Sequence, residues 1–131
     1  MAFRDKYPAS PQHIQVIPKR HIGNVRDLGP EDAPMLKDML RIGCALLNVP
    51  QPNAKTRFGF HLPPFTSVPH LHMHCLSLPL KPGLCLKKYK YDPRCTLWFR
   101  TTQRQLKAWG VQPPFVRPED VPPPKPGGFR N

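Results

Sequence analysis

Apolar positions recur along the chain with two different periods. In His13-Ile14-Gln15-Val16-Ile17 they alternate with polar ones and are β-branched, and Pro18 follows, so the pattern predicts a strand over His13–Ile17. Between Pro30 and Leu47 the step lengthens to three and four residues, through Leu36, Met39, Leu40, Ile42 and Leu46 or Leu47, the stripe of an amphipathic helix. Pro30 suits a first-turn position, Glu31 and Asp32 favour the helix N-terminus, and Pro34 is tolerated because it lies in that first turn. Strand character returns at Arg57–His61 and, over a longer run, at Leu71–Leu78, which Pro79 ends. A short basic helix is expected at Thr101–Trp109, with Gly110 as its stop. The order strand, helix, strand, strand predicts an α+β fold, an antiparallel sheet with one main packed helix.

Composition adds a boundary and removes some classes. Of the 131 residues 20 are proline, about three times the usual share. Pro113, Pro114, Pro118, Pro122, Pro123, Pro124 and Pro126 break helices and sheet ladders. Residues 110–131 are therefore expected to form an extended or disordered tail behind a domain at 1–109, with Val121–Pro126 also suited to a polyproline II surface. Lys and Arg number 20 against 8 Asp and Glu, a net charge of +12, which favours nucleotides, nucleic acid or acidic membrane surfaces as partners. No apolar stretch approaches the ~18–20 residues of a membrane-spanning helix. The opening MAFRDKYPAS lacks the apolar core of a secretory signal. On that basis Cys44, Cys75, Cys85 and Cys95 read as reduced thiols of a cytoplasmic or nuclear protein, and without a C-x-x-C pair they do not suggest zinc.

The stretch that carries chemistry is His70-Leu71-His72-Met73-His74-Cys75-Leu76. Histidines two apart on a strand share a face at roughly 6.6–7 Å, while Leu71, Met73 and Cys75 turn to the core. Two chemistries fit this row. Alternate imidazoles can offer nitrogen ligands to zinc. Equally, one imidazole can attack a phosphoryl group while its neighbours stabilise charge. A metal site calls for a further ligand and an orienting carboxylate, and no acid lies within ten residues of the row. The balance favours anion chemistry, with neither a metal nor a cofactor expected.

The same run resembles the signature of the histidine triad family, His-φ-His-φ-His-φ-φ with φ apolar. Upstream, His13-Ile14-Gln15-Val16-Ile17-Pro18-Lys19-Arg20-His21-Ile22 resembles the block that carries that family's fourth active-site histidine, and the step from Asp5 to His13 is similar to its spacing from a ribose-binding acid. Gly59-Phe60-His61-Leu62-Pro63-Pro64-Phe65 and Leu97-Trp98-Phe99 look most like the third histidine triad nucleotide-binding protein subfamily; the better-known branch has Asn-Glu where Gly59-Phe60 stand. The resemblance spans residues 2–109 and implies a histidine triad fold. Because the family places a strand and a helix before the Asp5-equivalent position, the chain reads as N-terminally shortened.

As function, the resemblance implies hydrolysis of adenosine 5′-monophosphoramidate-type P–N bonds, or related adenylyl bonds, through a nucleotidylated histidine. The alternatives are aprataxin-like removal of AMP from nucleic-acid ends and a catalytically weak nucleotide-binding remnant. His72 then matches the nucleophile, His74 the residue that hydrogen-bonds the phosphate, His70 a support for the nucleophile's geometry, and His13 the fourth histidine. Ser67 matches the serine near the leaving group, Asp5 the carboxylate on the ribose hydroxyls, and Phe3 an apolar wall of the base pocket. The implied partners are a purine nucleotide (an AMP conjugate) and a second copy of the chain. His21 and His61 match no catalytic position and read as structural or surface residues. Lys87, Lys88, Lys90, Arg94, Arg100, Arg104 and Lys107, interleaved with Tyr89, Tyr91, Trp98 and Phe99, read as a solvated basic face, with nucleic-acid contact the less favoured reading.

Overall fold

The computed structural model describes residues 1–5, 10–62, 70–79 and 99–116. Among them, strands β1 (Ala2–Arg4), β2 (His13–Val16), β3 (Thr56–His61), β4 (Met73–Ser77) and β5 (Phe99–Thr101) form one sheet in the order β1-β2-β4-β3-β5. Every neighbouring pair is antiparallel. Helix α1 (Ala33–Leu46) and the shorter α2 (Thr102–Ala108) complete the described elements, with single 3-10 turns at Val25–Asp27 and Pro30–Asp32. The α+β architecture expected from the pattern is the one observed.

Strand register sorts the sheet into two chemically different faces, because residues directly opposite each other project to the same side. Ile14 stands opposite Cys75 and Val16 opposite Met73, while Phe58 lies across from Cys75 on the other side. These side chains join Leu36, Met39, Leu40 and Cys44 of α1 in one buried cluster. Each such Leu or Phe taken out of water contributes ~1.5–3 kcal/mol. The approach is close at Gly43, where a Cβ would lie 2.8 Å from the Cys75 sulfur and 3.0 Å from the Phe58 ring. The opposite face carries the row Phe3, Gln15, His74 and Gly59. The helix thus backs the sheet and leaves that row to the other side.

The ends of the elements show what local chemistry sets them. The long helix starts at Ala33 rather than Pro30, after a 3-10 turn. Pro30 and Pro34 bring no N–H, and the turn is closed by Asp32 N–H on the Gly29 carbonyl (2.9 Å) and by the Asp32 carboxylate on the Gly29 N–H (3.0 Å). Thr101 caps α2 by accepting from the Arg104 N–H at 3.3 Å. Gly110, at φ 85°, stops α2 as expected, with Val111 N–H returning to the Leu106 carbonyl.

Two further boundaries differ from expectation by more than a single residue. The strand expected from Leu71 begins only at Met73, because the Leu71 N–H bonds to the Ile22 carbonyl (2.6 Å) and residues 70–72 leave the ladder. The segment after Gly110, expected to be unpacked, is held against the core through Phe115 and Val116, which are 9% and 3% exposed. Two apolar side chains next to the cluster outweigh the prolines before them; residues 117–131 lie outside the described residues. Strands β1 and β5, three residues each, are too short to leave a periodic signal. No helix among the described residues is long and apolar enough to cross a membrane.

Candidate active site

His74 stands at the centre of a group of imidazoles. Strand β4 presents it opposite Gln15 of β2 on one side and Gly59 of β3 on the other. His13, two residues from Gln15 and therefore on the same face, brings its Nε2 to 2.8 Å from His74 Nδ1. Beyond the end of β1, the Asp5 N–H bonds to the His13 carbonyl at 2.8 Å. This places the Asp5 carboxylate 3.3 Å from His13 Nε2. Gln15 Nε2 donates to the same carboxylate oxygen at 2.5 Å. The side chain of His13 is fully buried and that of Asp5 is 12% exposed, so the pair acts in a medium where charge is felt strongly.

Electrostatics assigns the protons. A bare lone pair on His13 Nε2 facing a carboxylate would be repelled, so the proton sits on His13 Nε2, shared toward Asp5 and His74. His74 Nδ1 is then an acceptor, and its own proton is on Nε2, where it can donate to an anion. For His72 the assignment follows from geometry alone. Its Nδ1 lies 2.7 Å from the His70 carbonyl, which can only accept, so Nδ1 carries the proton and Nε2 keeps its lone pair. The His72 and His74 rings are 5.0 Å apart at 71°. The His72 ring, whose Nε2 carries the lone pair in this tautomer, thus stands beside the His74 ring.

His61 completes the group. Its ring packs edge-on against His74 at 4.6 Å and against Phe99 at 5.6 Å, and the residue is 8% exposed. Sequence reasoning reads it as structural and misses its place; the available signal is phase, since it lies two residues from Gly59, the position facing His74. Gln15, which holds the Asp5 carboxylate, is missed for the same reason. His70 departs from the expected three-histidine face. Its ring turns toward His21, Nδ1 to Nδ1 at 3.2 Å, and its backbone carbonyl alone reaches His72. Phe3, opposite Gln15, lies on the site's face and is 36% exposed. Ser67 lies outside the described residues, as do Lys87, Lys88, Lys90 and Arg94 of the basic run. Of the remainder, Arg100 donates to Gln105 Oε1 at 2.9 Å, and burial, then Arg104 and Arg26, lower its pKa.

A part-buried carboxylate, two linked histidines on one sheet face and the His72 ring beside them are groups that can carry out nucleophilic chemistry on an anion. The family model described as "Scavenger mRNA decapping enzyme C-term binding" matches residues 1–90, and the chain belongs to this histidine triad family. Among curated relatives, the bifunctional adenosine 5′-phosphosulfate phosphorylase/adenylylsulfatase HINT4 of Arabidopsis thaliana is 48% identical over 92 residues, covering 69% of this chain and 63% of the relative. Adenosine 5′-monophosphoramidase HINT3 of Mus musculus is 36% identical over 109 residues, 82% of this chain and 65% of the relative. Aprataxin of Ciona intestinalis is 31% identical over 80 residues, 59% of this chain and 20% of the relative. The chain therefore spans just under two thirds of the length of the first two.

Proposed function

We propose that the chain hydrolyses adenylyl conjugates, with adenosine 5′-monophosphoramidate as the representative substrate. The observation that carries this reading is the His72 Nδ1 to His70 carbonyl bond at 2.7 Å, which leaves Nε2 as the one nucleophilic nitrogen of that ring. His72 Nε2 attacks the α-phosphorus and the P–N bond breaks, the nitrogen leaving as ammonia with a proton taken from solvent water, which the later attack of water returns. Water then attacks the nucleotidyl-histidine and releases AMP, regenerating the imidazole. Dividing one displacement into two in this way lowers each barrier. His74 Nε2–H donates to a phosphate oxygen as negative charge builds, and His13 with Asp5 holds His74 in the donating tautomer. Asp5 offers its carboxylate to the ribose hydroxyls, and Phe3 an apolar surface to the base. Support comes from the activities for which the two longer-matching relatives are named, both on adenosine 5′-phosphate derivatives.

The test is AMP release from adenosine 5′-monophosphoramidate, followed chromatographically. His72→Ala is expected to lower kcat/KM by at least about 10³-fold, because a covalent nucleophile is removed, while circular dichroism stays native. Equal turnover by the variant would end this mechanism. The similarity to aprataxin gives the second arm. Turnover of 5′-adenylated DNA about tenfold faster than the small substrate, ~1.4 kcal/mol in barrier, would reassign the substrate to nucleic-acid ends.

A further inference from the structure

We propose that the groove between α1 and Phe115–Val116 is the docking site of the chain's own acidic, proline-rich stretch, Arg117–Pro126. The groove belongs to the helix side of the molecule, across the sheet from the histidines. It holds about 490 Å³ and is lined by Pro34, Lys37, Asp38, Arg41, Phe115 and Val116. That volume falls in the ~300–1,000 Å³ range of ligand-binding clefts. Pro34, Lys37, Asp38 and Arg41 stand at i, i+3, i+4 and i+7 on α1 and so share one helix face. That face is turned away from Leu36, Met39 and Leu40, which are buried against the sheet. Phe115 and Val116, packed on the core cluster, form the opposite wall.

The occupant follows from where the chain goes next. Val116 is itself a wall, so Arg117 begins at the groove and Glu119 lies at most ~10 Å of extended chain past Val116. Lys37 and Arg41 are ~6 Å apart along the helix axis, within that reach. Charge is complementary. The groove has two bases, Lys37 and Arg41, and one acid, Asp38, whose Oδ1 is 3.4 Å from Arg41 Nη2. Residues 117–120 carry one base, Arg117, and two acids, Glu119 and Asp120. In a chain with 20 bases and 8 acids, an adjacent acidic pair this close to two cations sets a register. Val121-Pro122-Pro123-Pro124 comes next, and proline runs are recognised by apolar and aromatic surface of the kind Pro34 and Phe115 supply. Exposed ion pairs are individually weak. A tether of a few residues offsets that weakness, because it holds the stretch at an effective concentration of about millimolar or above. The docking is independent of the nucleotide reading.

Proteolysis of the full chain tests it. Glu31 and Glu119 are the two glutamates of the sequence. Glutamyl endopeptidase in ammonium bicarbonate therefore reports the exposure of the Glu119–Asp120 bond, its product separated by mass from the cut at Glu31. A docked bond is cut only when it opens, so Lys37→Gln with Arg41→Gln should raise the initial rate at Glu119 at least about fivefold. These substitutions lie far from the bond in sequence and leave the protease's own recognition unaltered. Lys19→Gln with Lys55→Gln, the same change in charge at exposed positions off the groove, should leave the rate within about twofold of wild type. The wild-type chain gives a second readout that needs no variant. Isotope-edited NMR should show Overhauser contacts from the Val121 methyls to the Phe115 ring or the Pro34 ring. Those contacts should vanish between labelled and unlabelled chains in a mixed sample. Equal cleavage of wild type and the groove variant would overturn the proposal, as would an equal acceleration by the control pair. So would Val121 methyls without contact to the groove, and contacts found only between chains would give the groove to a second copy instead.

Discussion

At the scale of single residues, the site depends on one position having no side chain. Gly59 faces His74 across the strand pair, and a Cβ there would lie 2.4 Å from the Arg100 carbonyl oxygen and 2.6 Å from the Phe99 ring. Phe99 is fully buried and packs on His61, so its ring cannot retreat without disturbing the histidines. Gly59→Ala should therefore destabilise the fold by ~1–3 kcal/mol, the usual range for overpacking a core. Urea denaturation measures this, and an unchanged midpoint would show that Phe99 does not cover Gly59. In the sequence, Gly59-Phe60 stands out only as a departure from a better-known pattern. The reason is not visible there, because the ring that occupies the space comes from β5, forty residues away and three residues long. His72 and His74 are legible from period two, and Asp5 and His13 through the resemblance. Gln15 and His61 are not, because local sequence does not encode which strands become neighbours.

At the scale of the element, α1 is legible from its apolar stripe, and its start is displaced by capping chemistry. Asp32 bonds the Gly29 N–H at 3.0 Å and receives Arg20 Nη2 at 2.7 Å. The backbone bond first, and Arg20 second, hold its carboxyl below the ordinary Asp value. A carboxylate with a lowered folded pKa stabilises fully above the unfolded value, about 3.9, and loses that contribution as pH falls through the folded value. Asp32→Asn keeps an oxygen for the Gly29 N–H but loses the charge and the exposed Arg20 pair, so it should cost about 0.5 kcal/mol at pH 7. The difference from the wild type should shrink as pH falls from ~4 through the lowered folded value, below which Asp32 is neutral as well. Paired urea titrations at pH 7 and pH 3 check the sign. A constant difference would mean that the charge of Asp32 plays no part in holding the turn.

Across the whole molecule, the sheet separates a polar, proton-exchanging face from a dry one. Cys44 and Cys75 lie on the dry side, fully buried between α1 and β4. Burial pushes the Cys44 thiol up to about 12, and burial, then the neighbouring Cys44, raises that of Cys75. Both are therefore neutral and unreactive in the folded chain, while an unfolded thiol titrates near ~8.5. The sign follows from linkage. Above that pH the unfolded chain releases protons that the folded one retains, so stability is complete below ~8.5 and declines as pH rises toward the folded values. Cys44→Ala removes one of these thiols. At pH 7 the variant should be less stable by about 1 kcal/mol, because the sulfur no longer fills its place between helix and sheet. By pH ~9.5 that deficit should narrow by about 1 kcal/mol, since the wild type alone carries the second buried thiol that resists ionisation. Cys85 and Cys95 are common to both proteins and cancel in the difference. Urea denaturation in reducing buffer at the two pH values measures it, and a deficit that stays constant would show that Cys44 ionises in the folded chain as freely as in the unfolded one.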